Sequence, residues 1–352
     1  MPCGGGWVGG VKILFYFLSI GLFIAGYVNS ESKPDLTDTA PKKDRMKDAV
    51  EWSKLQNRNG DTYIPNTDKP YSGWAKQIYD NGQVKVLAEF TDGTATRLKQ
   101  WQENGIPRWD IGYSKGRISL SDVPLEDWRD SNSSLQHGLM TSWRENGQKE
   151  KEVNYKDGKQ HGLETFWYEN GQKKTEGNYK DDKLDGLETS WRENGQKEKE
   201  VNYKDGKQHG LETFWYENGQ KEIEQNYKDG KQHGLVTFWY KNGQKSGEDV
   251  FKEDKLLSSI TWKPNGEKCP LTNVKNGDGV MVYYYENGKK SGEDNYKDGM
   301  MNGLSTLWYE NGQKSDEINF KDDKENGLWI SYNEDGTERR RETYKDGELV
   351  ED

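Results

Sequence analysis

Four histidines, His137, His161, His209 and His233, each stand immediately before a glycine, and their numbers differ by 24, 48 and 24. Regularly spaced imidazoles are a residue type that holds zinc. Sister segments, however, put Asp185, Asn302 and Asn326 in the same slot. His, Asp and Asn share a tolerance of turn conformations, so the histidines read as turn residues. The pairs Asp157-Gly158, Asp205-Gly206, Asp229-Gly230 and Asp298-Gly299 lack the nine-residue density of calcium-binding β-rolls and also read as turns. Glu150 with Glu152 could supply an acid and a base, but the pair recurs as Glu198 and Glu200 by duplication, on strand faces expected to be solvated. No Gly-x-Ser-x-Gly elbow and no phosphate-cradling loop occurs. Cys3 and Cys269 lie too far apart in sequence to frame a metal site, and Cys269 is expected to be a free thiol. The expectation is a non-enzymatic chain with no catalytic residue, cofactor or metal. Aromatic side chains are left as the groups with binding potential.

What must position them is not an ordinary globular core. Of 352 residues 30% are hydrophobic and 32% charged, which by itself suggests disorder. The 14 Trp, 20 Tyr and 40 Gly argue instead for short strands and tight turns, each unit burying a thin layer in a repeat array. A net charge of -10 disfavours nucleic acid, which needs clustered cations to displace counterions. It also disfavours adsorption to anionic lipid, so membrane contact is expected only through the amino-terminal segment.

That segment, residues 11–28, is a nearly continuous apolar run with one Lys at its start, ending at Asn29-Ser30-Glu31. It fits a secretory signal, or an uncleaved anchor near the lower length limit for a spanning helix. Residues 1–30 therefore read as signal peptide or membrane anchor and 31–69 as a polar tether. The protein is expected to be exported (periplasmic, cell-surface or secreted) or held in the membrane by residues 11–28.

Asn-Gly pairs set the repeat. They fall at Asn146-Gly147, Asn170-Gly171, Asn194-Gly195, Asn218-Gly219 and Asn242-Gly243, then at Asn265-Gly266, Asn287-Gly288 and Asn311-Gly312. Residues 141–173 and 189–221 are identical. The organisation read from this is two repeats over 70–120, an irregular interruption at 121–136 and an array over 137–352. Two short runs joined by Asn-Gly make a β-hairpin, and the fold class is all-β, an elongated array of stacked antiparallel hairpins forming a twisted sheet or solenoid. A three-residue loop, Glu169-Asn170-Gly171 with Gly171 left-handed, is preferred over a two-residue one. In that register Leu163, Thr165 and Trp167 share a buried face with Thr175, Gly177 and Tyr179.

The pattern G-x-x-x-x-[WY]-Y-x-N-G-x-K followed by N-Y-K-D-G-K, over roughly residues 70–352, resembles the MORN-variant repeat family. The resemblance implies an elongated twisted sheet of hairpins with a binding or scaffolding role. Some bacterial members carry an antitoxin label, which implies a cytoplasmic location at odds with the apolar segment here.

Within the array, Trp143, Trp167, Trp191, Trp215, Trp239, Trp262 and Trp308 are expected to form a structural row. Phe166, Tyr168, Phe214, Tyr216, Phe238 and Tyr240 form a candidate binding strip on the opposite face. The expected role is a scaffold for a protein partner. A glycan or cell-wall ligand stacking on the strip, or an antitoxin-like role, are the alternatives.

Overall fold

The computed structural model describes residues 46–59, 61–113 and 136–350. Cys3, the apolar segment 11–28 and all but the last residue of the interruption 121–136 lie outside the described residues. Among the described residues no helix is long and apolar enough to cross a membrane.

Each hairpin begins from the same turn. At the second Asn-Gly of the array the Tyr168 N–H donates to the Gln172 carbonyl (2.9 Å) and the Gly171 N–H to the Tyr168 carbonyl (3.0 Å). The side-chain oxygen of Asn170 accepts the Gln172 N–H at 2.9 Å, and Gly171 sits at φ +82°, where a β-carbon would be strained. This is the three-residue loop that the sequence favours.

The register beyond the loop differs from the expected one. Trp167 still pairs with Lys173, but Phe166 pairs with Thr175, so Lys174 is an extra residue and a second bulge. Glu150, Glu198, Glu222 and Ser246 are the extra residues of sister hairpins. A one-residue slip exchanges faces. Phe166, Glu164 and Gly162 therefore share a face with Thr175, Gly177 and Tyr179, while Leu163 and Thr165 lie on the other.

Contacts divide the chain into two units, one ending at Lys207 and one beginning at Gln208. In the first, strands from Gly73–Ile78 through Val84–Thr91, Thr94–Trp101, Pro107–Gly112 and Gly138–Trp143 to Lys197–Lys204 each pair antiparallel with the next. Trp109 pairs with Ser142, so the ladder runs on across the interruption. Residues 46–69, read as tether, fold onto this sheet instead. Val50–Glu51 pairs parallel with Gly73–Ile78, and Leu55 packs with Tyr71, Ala75, Val86, Phe90, Leu98 and Ile111 in the largest buried cluster. Few apolar residues mark this stretch, but those few are the ones that cover an otherwise open sheet edge.

The second unit holds two sheets. One runs from Lys207–Trp215 to Lys255–Thr261, the other from Gly279–Tyr284 to Glu348–Leu349. Between them residues 262–278 replace a regular hairpin. Backbone bonds close the gap on the Asp-Gly side, from Gly277 N–H to the Leu257 carbonyl (2.9 Å) and from Leu256 N–H to the Gly299 carbonyl (3.0 Å). Leu256, Val274 and Met281 form a small core beneath, with Phe251, Tyr283 and Tyr296 against it.

Candidate functional site

The register gives every hairpin two unlike faces. One carries Val153, Gly177 and Val201 in the first unit and Val236 in the second, all buried, with Tyr155, Tyr179 and Tyr227 half-buried beside them. Glu164 is buried on this face, where Lys151 (2.9 Å) and Gln160 (3.2 Å) satisfy its carboxylate. Burial, with the neighbouring Glu212, pushes the Tyr227 hydroxyl up to about 12.

The opposite face presents leucine. Leu139, Leu163 and Leu187 in the first unit and Leu211, Leu235 and Leu304 in the second are 40–48% exposed, one per hairpin at the same position. An asparagine alternates with them: Asn154 donates to the Leu163 carbonyl at 2.8 Å, and Asn226 to that of Leu235 at 3.0 Å. Within one unbroken stretch of sheet, such as that of Leu139, Leu163 and Leu187, two strand spacings separate successive leucines, about 10 Å. Next to this row Thr165, Thr189, Thr213 and Thr237 are buried between cross-strand glutamates.

Tryptophans and lysines complete the leucine face. Lys149 pairs with Glu152 of its own hairpin (2.6 Å) and lies 5.7 Å from the ring centroid of Trp167 in the next. Lys173 joins Glu176 and Trp191 in the same way, Lys221 joins Glu224 and Trp239, and Lys290 joins Glu293 and Trp308. Each ammonium is thus shared between a carboxylate and an aromatic face, binding hairpin to hairpin. Trp143 is half-buried at its strand end, and the Trp262 carbonyl serves as an acceptor at the edge of the joint.

The six strip residues divide between two structural positions. Phe166 and Phe238 lie half-buried on the valine face, as does Phe214 opposite Ile223, and Lys151 sits 4.8 Å above the Phe166 ring. Tyr168, Tyr216 and Tyr240 reach the next hairpin instead. Their hydroxyls donate to the carbonyls of Trp191 (2.8 Å), Trp239 (2.8 Å) and Trp262 (2.7 Å). Arg144 fills this role where Tyr is absent, donating to the Trp167 carbonyl at 2.7 Å. The turn asparagines add a second tie: Asn170 donates to the Glu193 carbonyl, Asn218 to that of Lys241 and Asn311 to that of Glu334. Turn glycines Gly147, Gly195, Gly219, Gly243 and Gly312 share the left-handed backbone of Gly171, and Asn146, Asn194 and Asn242 each accept an N–H two residues on.

The histidine slot works along the other edge. His137 Nδ1 accepts the Asp157 N–H at 3.4 Å and His209 that of Asp229 at 3.4 Å, while Asp185 accepts from Asp205 and Asn302 donates to Asp322. The left-handed residues are the glycine that follows, Gly162 at φ +104°, and the turn Asp, not the histidine. His, Asp and Asn can each hydrogen-bond to the next turn from this slot, although the Nδ1 atoms of His161 and His233 are buried without a hydrogen-bond partner. Among the described residues no group of three or more His, Cys, Asp or Glu is placed to hold a metal. Cys269 is buried, and its thiol lies 3.1 Å from the Tyr284 hydroxyl. A widely open surface hollow of about 310 Å³ lies against Lys289, Lys290, Trp308 and Gly312 on the leucine face.

Sequence reasoning missed the leucine row and the inter-hairpin ties of Tyr168 and its sisters. The leucine after each glycine was visible, but it was assigned to the wrong face.

No curated protein matches the chain. Among solved structures it is similar to the Photorhabdus luminescens Tc holotoxin pore at 10% identity, over 79% of this chain and 16% of that one. The chain spans about a sixth of that structure's length, and at a TM-score of 0.14 the likeness carries no argument. The family model of the MORN repeat variant matches residues 136–157, 160–181, 184–205, 208–229, 232–253, 277–298 and 301–322. These are the hairpins built above, each matched segment ending at an Asp-containing turn. Through them the chain belongs to the MORN repeat variant family, a class of non-catalytic interaction repeats.

Proposed function

We propose that this protein is a scaffold that binds a protein partner through the leucine face of its hairpins, outside the cell or at the envelope. The observation that carries the reading is the leucine row, one part-exposed apolar side chain per hairpin beside the Trp and Lys rows. Solvated proteins seldom leave an apolar row of this regularity uncovered without an interaction to use it. Large protein interfaces gather their energy from apolar and aromatic anchors in a polar rim, which is the composition of this face. A stacking glycan is less well served. The strip tyrosines spend their hydroxyls on neighbouring hairpins, and ammonium groups stand over several of the rings. The apolar run at 11–28 supports the location, as an export signal or an anchor.

The test compares the full chain with a variant carrying Leu163→Glu, Leu187→Glu and Leu211→Glu, used as baits in envelope extracts. The reading expects one partner retained by the parent and depleted at least about tenfold by the variant, as for lost hot spots. Equal retention by both baits, or a saturable tryptophan-fluorescence response to wall fragments without any protein partner, would sink it. Cell fractionation with amino-terminal sequencing checks the location separately.

A further inference from the structure

A regular hairpin can bury a carboxylate such as Glu164 because Lys151 meets it, whereas the joint between the two sheets of the 208–350 unit buries two carboxylates with no such partner among the described residues. At the centre of the valine face, the second strand of successive hairpins carries Val153, Gly177, Val201, Gln225 and Ile318. In the two hairpins that flank the joint this residue is Asp249 and Asp294, each within the same five letters, Lys-Ser-Gly-Glu-Asp. Both carboxyls are buried, at 4% and 8% exposure. One oxygen of Asp249 has no hydrogen-bond partner. Asp294 accepts the Ser305 hydroxyl at 2.6 Å.

Among the described residues no cation pairs with either carboxyl. On its own strand Lys245 and Glu248 pair with each other across the opposite face. Lys231–Trp239 places Val236 against Asp249, and Lys255–Thr261 places Ser259, whose hydroxyl donates to the Met281 sulfur at 2.9 Å. From Gly279–Tyr284 comes the half-buried Tyr283, and from Lys290–Lys297 come Asp294 and Tyr296. The charges that act here on the two phenols are those of Asp249, Asp294 and Asp323, all acidic, and Lys255 acts on Asp323. Backbone closes the joint without slack: a β-carbon on Gly277 would come within 2.5 Å of the Gly299 nitrogen.

We propose that this junction is a pH-responsive joint, tight while Asp249 and Asp294 are protonated and loosened when they ionise. A protonated Asp249 is neutral and can spend its proton on a neighbour. An ionised one leaves a charge in an apolar space with an unmet acceptor, which the joint relieves by admitting water. Burial holds the Asp249 carboxyl up at about 7, and burial raises Asp294 in the same direction. The folded carboxyls therefore bind protons that the unfolded chain has released. Stability of the joint is full below the ordinary aspartate range and is lost as pH rises towards about 7. Regular hairpins carry Val, Gly, Gln or Ile at this position, and the buried Glu164 beside them is met by Lys151 and Gln160, so no such dependence is expected of them.

Hydrogen exchange of the full chain, followed by mass spectrometry from pH 5 to 8 and corrected for intrinsic rates, reads this directly. Peptides within 245–261 and 279–297 should lose protection at least about tenfold across that range, while peptides within 149–167 stay flat, as local opening requires. Asp249→Gln, the residue found at Gln225, should cut the slope of the joint's profile to half or less, Asp294 supplying the remainder. A flat profile in the parent overturns the proposal, as does an unchanged slope in Asp249→Gln. Should that variant not fold, Asp294→Asn is scored the same way, and a slope it leaves unaltered also overturns the proposal.

Discussion

The hairpins of the duplicated stretch 141–207 and the joint at 245–297 are written with nearly the same letters, yet they do different things. In the first, each hairpin meets its neighbour through a Tyr or Arg to a Trp carbonyl and a Lys shared between Glu and Trp, and the Asn170 turn adds a bond to the Glu193 carbonyl. At the joint the hairpins survive, but residues 262–278 interrupt the ladder between them, and the valine of the shared face is replaced by aspartate. Turn chemistry alone therefore makes a hairpin, whereas the stacking of one hairpin on the next depends on contacts from strand to strand. Stability in such an array is close to a sum of neighbour terms, so the weakest interface sets where it opens.

The largest difference between joint and regular hairpin is expected at glycine. Gly277 in the joint and Gly219 in a regular turn share a left-handed backbone, at φ +88° and +82°. A β-carbon on Gly277 meets backbone, while one on Gly219 meets nothing within 4 Å. Gly277→Ala should cost about 3 kcal/mol or more and Gly219→Ala about 1 kcal/mol in denaturant unfolding. Equal losses would show that the joint is no tighter than a turn. Valine and leucine sharpen the face assignment. Val153, 1% exposed, should lose about 2 kcal/mol on change to Ala, and Leu163, 40% exposed, less than about 1 kcal/mol. Removing one inter-hairpin hydroxyl is a smaller step: Tyr168→Phe should cost about 1 kcal/mol by the same measurement. Lys149→Met leaves a half-exposed ion pair broken and should shift the midpoint by less than about 0.5 kcal/mol, diminishing further in high salt.

Much of the architecture was legible in the sequence. Asn170-Gly171 and its repeats announced hairpins, their loop length and the family, because a left-handed Gly after Asn is a local demand that no tertiary contact overrides. The second bulge was not legible. It falls at Lys174, Glu150 or Ser246, residues without a conformational signature, and its effect is to turn the whole second strand over. That is why Trp167 and Tyr179, expected on one face, lie on opposite ones, and why the exposed leucines were expected inside. The fold of 46–69 is hidden for another reason: Val50 and Leu55 are too few to mark a strand, yet one pairs at the sheet edge and the other packs on its face. The repeated Lys-Ser-Gly-Glu-Asp around the joint was in plain view and would have pointed there.

Everything functional in this account rests on which residues share a face, and cross-linking tests that register most directly. In a Cys269→Ser background, one chain carries Phe166→Cys with Thr175→Cys, directly opposed in the structure, and another carries Thr165→Cys with Thr175→Cys, the pair opposed without the second bulge. Opposed cysteines on adjacent antiparallel strands lie about 4.5–5.5 Å apart, within disulfide reach, whereas a one-residue offset points the thiols to opposite sides of the sheet. Mild oxidation of the folded protein should cross-link the first pair and leave the second reduced. Cross-linking of the second pair in preference to the first would contradict the register, and with it the leucine face.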